Sequence, residues 1–317
     1  MAPEGLRVLM PIMRSIFISM STNRLMRRLG ERSRLGRRMS SRFVAGMEIE
    51  DALRVAERLN AQGLSVTLDS LGESVGSEAD AQRSAEMYHN LLNQIALRKL
   101  DANISVKPSQ MGMDFSPELT ERIVGGLTEH CRATGNFLRI DMEGSPLTQQ
   151  TIDMVARMHA NPDYAGHIGV VIQAYLYRSE QDIAQLLESG IRVRLCKGAY
   201  QEPASIAFPS KADVDTNYIL LAGRLLSSPL YHGIATHDEA MIHAVRDYAR
   251  HNGIAPEHFE FQMLYGVRRD LQRRLVDEGY RVRIYLPFGR EWYPYFMRRL
   301  AERPANAFFV LRNLLRS

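Results

Sequence analysis

The stretch EQDIAQLLESGIRVRLC, residues 180–196, contains the unit that sets the fold. Its first part carries apolar residues at helical spacing, Gly190 stops that run, and IRVRLC then reads as a short apolar strand. Working outward, similar strands recur at SVTLD (65–69), ANISVK (102–107), NFLRID (136–141) and IGVVIQAY (168–175). GIATH (233–237), FEFQML (259–264) and VRIYL (282–286) complete the set. Longer segments with helical spacing lie between them, such as EADAQRSAEMYHNLLNQIALRKL (78–100), and further stops fall at Gly253 and Gly279. Another periodic helix, within RFVAGMEIEDALRVAERLNAQGL (42–64), ends at Gly63 before the first strand. Eight strands alternating with helices over roughly 225 residues suit a (β/α)₈ TIM barrel of the α/β class.

Composition narrows the options. The chain has 317 residues and is 45% hydrophobic, enough for a large core. Its two cysteines, Cys131 and Cys196, lie in no metal-binding spacing, so neither a disulfide framework nor a structural zinc site is expected. The net charge of +4 conceals an asymmetry: residues 1–42 hold ten arginines against Glu4 and Glu31. That arm is expected to be a basic helical extension ahead of a barrel over residues 43–317. Packing on the body and contact with a membrane surface both remain open for it. Nucleic acid is disfavoured, because Phe17, and Phe43 just after the arm, are the only candidates for base stacking there. No apolar window is long enough to cross a bilayer, and a reducing, cytoplasmic location is the expectation.

In a barrel of this kind the C-terminal strand ends carry the chemistry. They read Asp69, Lys107, Asp141, Gln173, Arg194 with Lys197, His237, Gln262 and Tyr285. No GxGxxG follows an early strand, and no GxxxxGK[ST], HExxH or GxSxG occurs. Asp69, Asp141, Glu143, His237 and Asp238 could ligate a metal in principle, yet the rim carries too many cations for that to lead. Lys107, Arg194, Lys197, Arg290, Arg298 and Arg299 instead ask for an anion: a phosphate, a carboxylate or a reduced flavin.

Two stretches sharpen this. In RVRLCKGAYQEP (192–203) the small pair Gly198-Ala199 allows close approach of backbone to a ligand, with Lys197 and Tyr200 beside it. A salt-bridged lysine before an ordinary turn is the plainer alternative. In GREWYPYFMRRL (289–300), Pro294 suits the first turn of a helix beginning near residue 293. Tyr295, Arg298, Arg299 and Glu302 then share one face, while Trp292 and Phe296 point elsewhere. The two arginines with Lys107 would make a carboxylate clamp.

At these residues the chain resembles the proline dehydrogenases. YLPFGREWYPYFMRRLAERPAN and RLCKGAYQEP look like that family's defining motifs. VTLDSLGES, SVKPSQMG, RIDMEG, IQAYL, ATHD and FEFQMLYG follow in the family's order, so the likeness spans residues 43–310. It implies a distorted (β/α)₈ flavoprotein with an N-terminal helical extension and a C-terminal helix over the barrel mouth. The implied activity is oxidation of L-proline to Δ1-pyrroline-5-carboxylate on FAD, with a quinone as electron acceptor. Asp141 and Arg194 would be the catalytic pair, Arg194 beside the flavin N5. Lys107, Arg298 and Arg299 would bind the proline carboxylate, Glu302 would orient the arginines, and Tyr285 and Tyr295 would pack on the ring. Met142, Gln173, Lys197, Gly198, Ala199, Tyr200, Thr236, His237 and Gln262 would hold FAD, and no metal is implied. Cys196 departs from the usual Val, a small change for a buried thiol.

Two rivals stay in view: another flavin barrel such as a folate reductase, and a metal-dependent hydrolase using Asp69, Asp141 and His237. A proline substrate makes a prediction. The amine is protonated at neutral pH and only the free amine reacts, so kcat/KM should rise from neutral to mildly alkaline pH. A flat profile in a steady-state titration would count against it.

Overall fold

A computed structural model of the chain describes residues 41–72 and 75–302, with the side chains of residues 298–302 left out. The expected arm falls almost wholly outside the described residues. So do the side chains of Arg298, Arg299 and Glu302. The strands are β1 (Ser65–Ser70), β2 (Ala102–Val106), β3 (Leu138–Ile140), β4 (Ile168–Gln173), β5 (Arg192–Cys196), β6 (His232–Ala235), β7 (Phe259–Leu264) and β8 (Arg281–Phe288). They form a closed barrel in chain order, every neighbouring pair parallel. Helix α1 (Ile49–Asn60) precedes the barrel. After the successive strands come α2 (Glu78–Arg98), α3 (Pro117–Thr134), α4 (Ser145–His159), α5 (Ser179–Glu188), α6 (Lys211–Leu226), α7 (Glu239–His251), α8 (Arg269–Asp277) and α9 (Trp292–Glu302). The (β/α)₈ expectation therefore holds.

Local chemistry explains the element ends. Ser77, Ser116, Ser210 and Asp238 each accept a hydrogen bond from a backbone N–H in the first turn of the helix they cap. Pro117 occupies a first-turn position where its missing N–H costs nothing, and Gly135 closes the same helix in the left-handed region. Strand limits differ from the sequence expectation at the edges. β4 stops at Gln173 because Leu176 N turns back to the Gln173 carbonyl (3.3 Å). β8 runs longer, to Phe288, because β1 pairs with it over six residues.

The two faces of the sheet are chemically opposite. Val66, Leu68, Ile104, Ile140, Val170, Val193, Leu195, Ile234, Phe261 and Ile284 are buried in one continuous apolar core, into which the helices pack their apolar faces. Alternate residues of the same strands carry polar groups instead: Thr67, Asp69, Ser105, Arg139, Arg194, Glu260, Gln262 and Arg283. Residues one apart in a strand point to opposite faces, so the hydrophobic core lies outside the barrel wall and polar groups fill its interior. A second, smaller apolar cluster joins Phe43, Val44 and Leu71 to Trp292, Tyr293, Tyr295 and Phe296 at the start of α9. It is tied to the barrel by hydrogen bonds from Ala45 N to the Pro287 carbonyl and from Gly289 N to the Gly46 carbonyl (both 2.9 Å).

Filling a barrel with charged side chains requires compensating space, and Gly169 in β4 supplies it. A Cβ there would lie 2.4 Å from the Arg192 carbonyl and 2.7 Å from Arg139 Nη1. Glycine in a strand ordinarily weakens it, and alanine would add about 0.5–1 kcal/mol of stability. Here the backbone clash outweighs that gain. Gly169→Ala should destabilise the protein by about 1–3 kcal/mol in urea unfolding, as overpacked cores do.

Candidate active site

The site forms where β2, β3, β5 and β8 bring polar residues to the C-terminal rim. Asp141, directly after β3, is its hub. One carboxylate oxygen, Oδ1, accepts from Ser105 Oγ (2.6 Å) and Arg194 Nη1 (2.9 Å). The other, Oδ2, accepts from the Tyr285 hydroxyl (2.7 Å) and faces Lys107 Nζ at 3.7 Å. Arg194 Nη1 also donates to Ser105 Oγ (3.2 Å), and its guanidinium lies against the Tyr285 ring, 5.2 Å from the centroid. Lys107 Nζ donates to Asp69 Oδ1 at 2.7 Å.

These groups are almost sealed from solvent, which sets their electrostatics. Burial alone would raise the Asp141 carboxyl. Lys107, Arg194, Ser105 and Tyr285 together hold it below the ordinary aspartate range instead. Asp69 goes the other way: burial pushes it up, to about 6, against the pull of Lys107. Lys107 stays firmly cationic, because Asp69 and Asp141 outweigh the burial that works against its charge. Burial and the neighbouring Asp141 charge drive the Tyr285 hydroxyl well above its usual range. The rim thus holds a fixed carboxylate, two fixed cations and a neutral phenol.

Arg194 has donors left over. Its Nε and Nη2 are buried and make no hydrogen bond among the described residues. Buried orphan donors cost free energy, so this arrangement fits a ligand that brings an electron-rich edge to Arg194. A flavin ring is such a ligand. Four of the expected flavin-holding residues lie at or just after the C-terminal ends of β3, β4 and β6. Met142 follows β3 and is buried; Gln173 ends β4, also buried, with its amide donating to the Glu143 carbonyl (2.9 Å). Thr236 and His237 follow β6; the His237 Nε2 accepts from Leu264 N (2.8 Å), which places the proton of the neutral ring on Nδ1.

Other expected residues have additional or different surroundings. Lys197 is paired with Asp238 (2.9 Å) and Asp215, the salt-bridged arrangement that the sequence also allowed. Gly198 has φ +115°, and a Cβ on it would lie 2.2 Å from the Tyr175 ring, so the close approach seen here is to an aromatic side chain. Ala199 and Tyr200 continue that turn, Tyr200 with its side chain partly exposed. Gln262 lies mid-strand and donates to Glu260 Oε1 (2.6 Å), deeper in the barrel than the rim. Tyr295 is buried in the Phe43–Trp292 cluster, on α9 with the backbone of Arg298, Arg299 and Glu302. Cys196 is a neutral thiol, pushed up to about 12 by burial.

Two members escaped the sequence reading. Ser105 sits inside β2, and only strand register reveals that it lies beside Asp141 and Arg194. Asp69 reads on the rim only as a possible metal ligand, yet it is the closest partner of Lys107. Asp69 and Asp141, weighed as metal ligands with His237, both face the Lys107 ammonium instead.

Comparison with known proteins identifies the family. The proline dehydrogenase family profile matches residues 52–312. The proline dehydrogenase of Deinococcus radiodurans is 40% identical over 285 residues, covering 88% of this chain and 90% of that protein. Proline dehydrogenase 1 of Bacillus subtilis subsp. natto is 38% identical over 307 residues, covering 96% of this chain and all of that protein. Among solved structures, proline utilization A of Bdellovibrio bacteriovorus, inactivated by N-propargylglycine, superposes with a TM-score of 0.78 at 28% identity. That match covers 83% of this chain and 32% of that larger protein. The chain belongs to the proline dehydrogenase family, whose members are flavin-dependent oxidoreductases.

Proposed function

We propose that this chain oxidises L-proline to Δ1-pyrroline-5-carboxylate on a bound FAD and that a quinone takes up the electrons. The observation that carries the reading is the Asp141 hub with its two cations, Lys107 and Arg194, and the orphan donors of Arg194. The chemistry FAD supplies when bound is acceptance of a hydride from the carbon beside the amine. Met142, Gln173, Arg194, the Lys197-Gly198-Ala199 turn, Tyr200, Thr236 and His237 would hold it, with Gln262 behind.

The remaining work falls to side chains of this chain. Lys107, with Arg298 and Arg299 from α9 oriented by Glu302, would fix the substrate carboxylate. Tyr285 and Tyr295 would flank its ring. Asp141 is held too acidic to accept a proton efficiently at neutral pH, so its task is to aim Arg194 and Tyr285. The substrate amine must therefore arrive unprotonated. A cytoplasmic enzyme with residues 1–42 touching the inner face of the cell membrane suits a lipid-soluble quinone; the ten arginines there support this. No described helix is long and apolar enough to cross a membrane.

The deciding experiment is an anaerobic titration of flavin-loaded protein with L-proline. Bleaching of the flavin absorbance is expected; an unbleached, fully loaded sample would sink the substrate assignment. Asp69 gives a second expectation. Its folded carboxyl lies above its unfolded value of 3.8, so its contribution to stability is fully present below that pH and is lost as pH rises through about 6. Asn cannot ionise. Relative to wild type, Asp69→Asn should therefore gain up to roughly 2–3 kcal/mol between pH 4 and pH 7 in denaturant unfolding. A pH-independent difference would show that Asp69 does not titrate in this window.

A further inference from the structure

The opposite end of the barrel holds a second cluster of charge that the proposed reaction does not use. A cleft of about 400 Å³ opens there, lined by Ser65, Asp101, Arg192, Tyr231, Arg281 and Arg283. Ser65, Arg192 and Arg281 are the first residues of β1, β5 and β8, which places the cleft at the N-terminal mouth, away from Asp141 and Lys107 at strand C-termini. That face of a barrel ordinarily serves stability alone. A cleft lined by three arginines is a costly way to achieve it.

The three guanidinium groups are not equally balanced. Arg283 is neutralised: its Nε donates to both Glu260 oxygens (2.8 and 3.0 Å) and its Nη1 to the Val66 carbonyl (2.8 Å). Arg192 is not. Its Nε donates to the Tyr231 carbonyl (3.2 Å), and the guanidinium is gripped between the rings of Phe137 (4.2 Å) and Tyr231 (5.3 Å). Arg281 lies against the same Tyr231 ring at 5.6 Å. Among the described residues, neither Arg192 nor Arg281 has a carboxylate oxygen within 4.0 Å.

Asp101 does not fill the gap, since it lies 3.9 Å from Arg283, accepts from Ser65 Oγ (2.6 Å) and is 65% exposed. Burial pulls Arg192 below its usual range, and Glu260, which opposes that pull, is already hydrogen-bonded to Arg283. The Tyr231 hydroxyl donates to Glu260 (3.0 Å) and accepts from Arg281, so the ring is fixed and both arginines keep their place against it. Two guanidinium groups that share one aromatic wall, with no carboxylate oxygen within 4.0 Å of either among the described residues, are a donor set suited to a tetrahedral oxyanion.

We propose that this cleft binds a phosphoryl oxyanion, as inorganic phosphate or as the phosphate of a small monoester, with Arg192 and Arg281 as its ligands and Arg283 as the charge behind them. The test uses flavin-loaded, full-length protein in phosphate-free, low-salt buffer. It is titrated calorimetrically with sodium phosphate and, separately, with glycerol 3-phosphate; sodium chloride at matched ionic strength is the blank. One saturable site per chain is expected, with a Kd on the order of 1 mM or tighter. Charge reversal in Arg281→Glu should weaken it by about tenfold or more, and Arg192→Lys, which keeps the charge and loses the fork, by a smaller factor.

Arg281 is exposed, so its variants should retain flavin and proline turnover; Arg281→Gln stands in if Arg281→Glu loses flavin. Tighter binding of glycerol 3-phosphate identifies a monoester as the ligand class, and equal affinities identify the free ion. No saturable binding of either probe, or binding that Arg281→Glu and Arg281→Gln leave unchanged, overturns the proposal.

Discussion

The centre of the C-terminal end of this barrel is organised around one largely buried carboxylate. Asp141 follows β3 and is reached by Ser105 from β2, Arg194 from β5 and Tyr285 from β8, with Lys107 close by. An isolated carboxylate in such a place would lose several kcal/mol of hydration, enough to make it neutral instead. Converging donors prevent that, and in doing so they fix the relative positions of four strands. The site's rigidity and its charge state are therefore one property. Loosening any donor would shift both the geometry of Arg194 and the acidity of Asp141.

The same rule extends down the barrel axis. Glu260 and Arg283 pair inside, while Arg139 donates to two main-chain carbonyls, those of Val170 (3.1 Å) and Arg192 (2.7 Å). Burial, with Arg194 and Arg192 nearby, forces Arg139 well below the usual arginine range. Arginine is thus in excess in the interior. Stability has to come from the other face of each strand, where the aliphatic residues meet the helices. A substitution at one parity of β5 would test packing, as at Val193 and Leu195; at the other parity it would test chemistry, as at Arg192 and Arg194.

This division explains what could be read from the sequence. Alternating apolar runs and turn glycines located all eight strands, because outward burial and chain reversal each leave a local pattern. The polar strand ends were equally visible, and Asp141, Arg194, Lys107 and Tyr285 do come together. Pairings across the sheet leave no such trace. Ser105 reads as one polar residue in an apolar run until β2 and β3 are set in register. The partner of Lys107 could have been any acidic residue on the rim, and only the geometry selects Asp69. Lys197 shows the converse: RLCKGAY suggested a cofactor contact, and α6 and the cap of α7 supply Asp215 and Asp238 to it as well.

The small cluster under α9 has a consequence for how the molecule is made. Phe43 and Val44 come from the start of the described chain, and Phe296, 6.2 Å from Phe43 between ring centroids, from near its end. During synthesis the first pair emerges long before α9, the helix whose aromatic residues pack against it. The barrel wall closes only when β8 arrives to pair with β1, and α9 follows it directly. Wall and mouth are therefore completed together, and an arrested chain lacking its final segment would be an open sheet with a sticky edge.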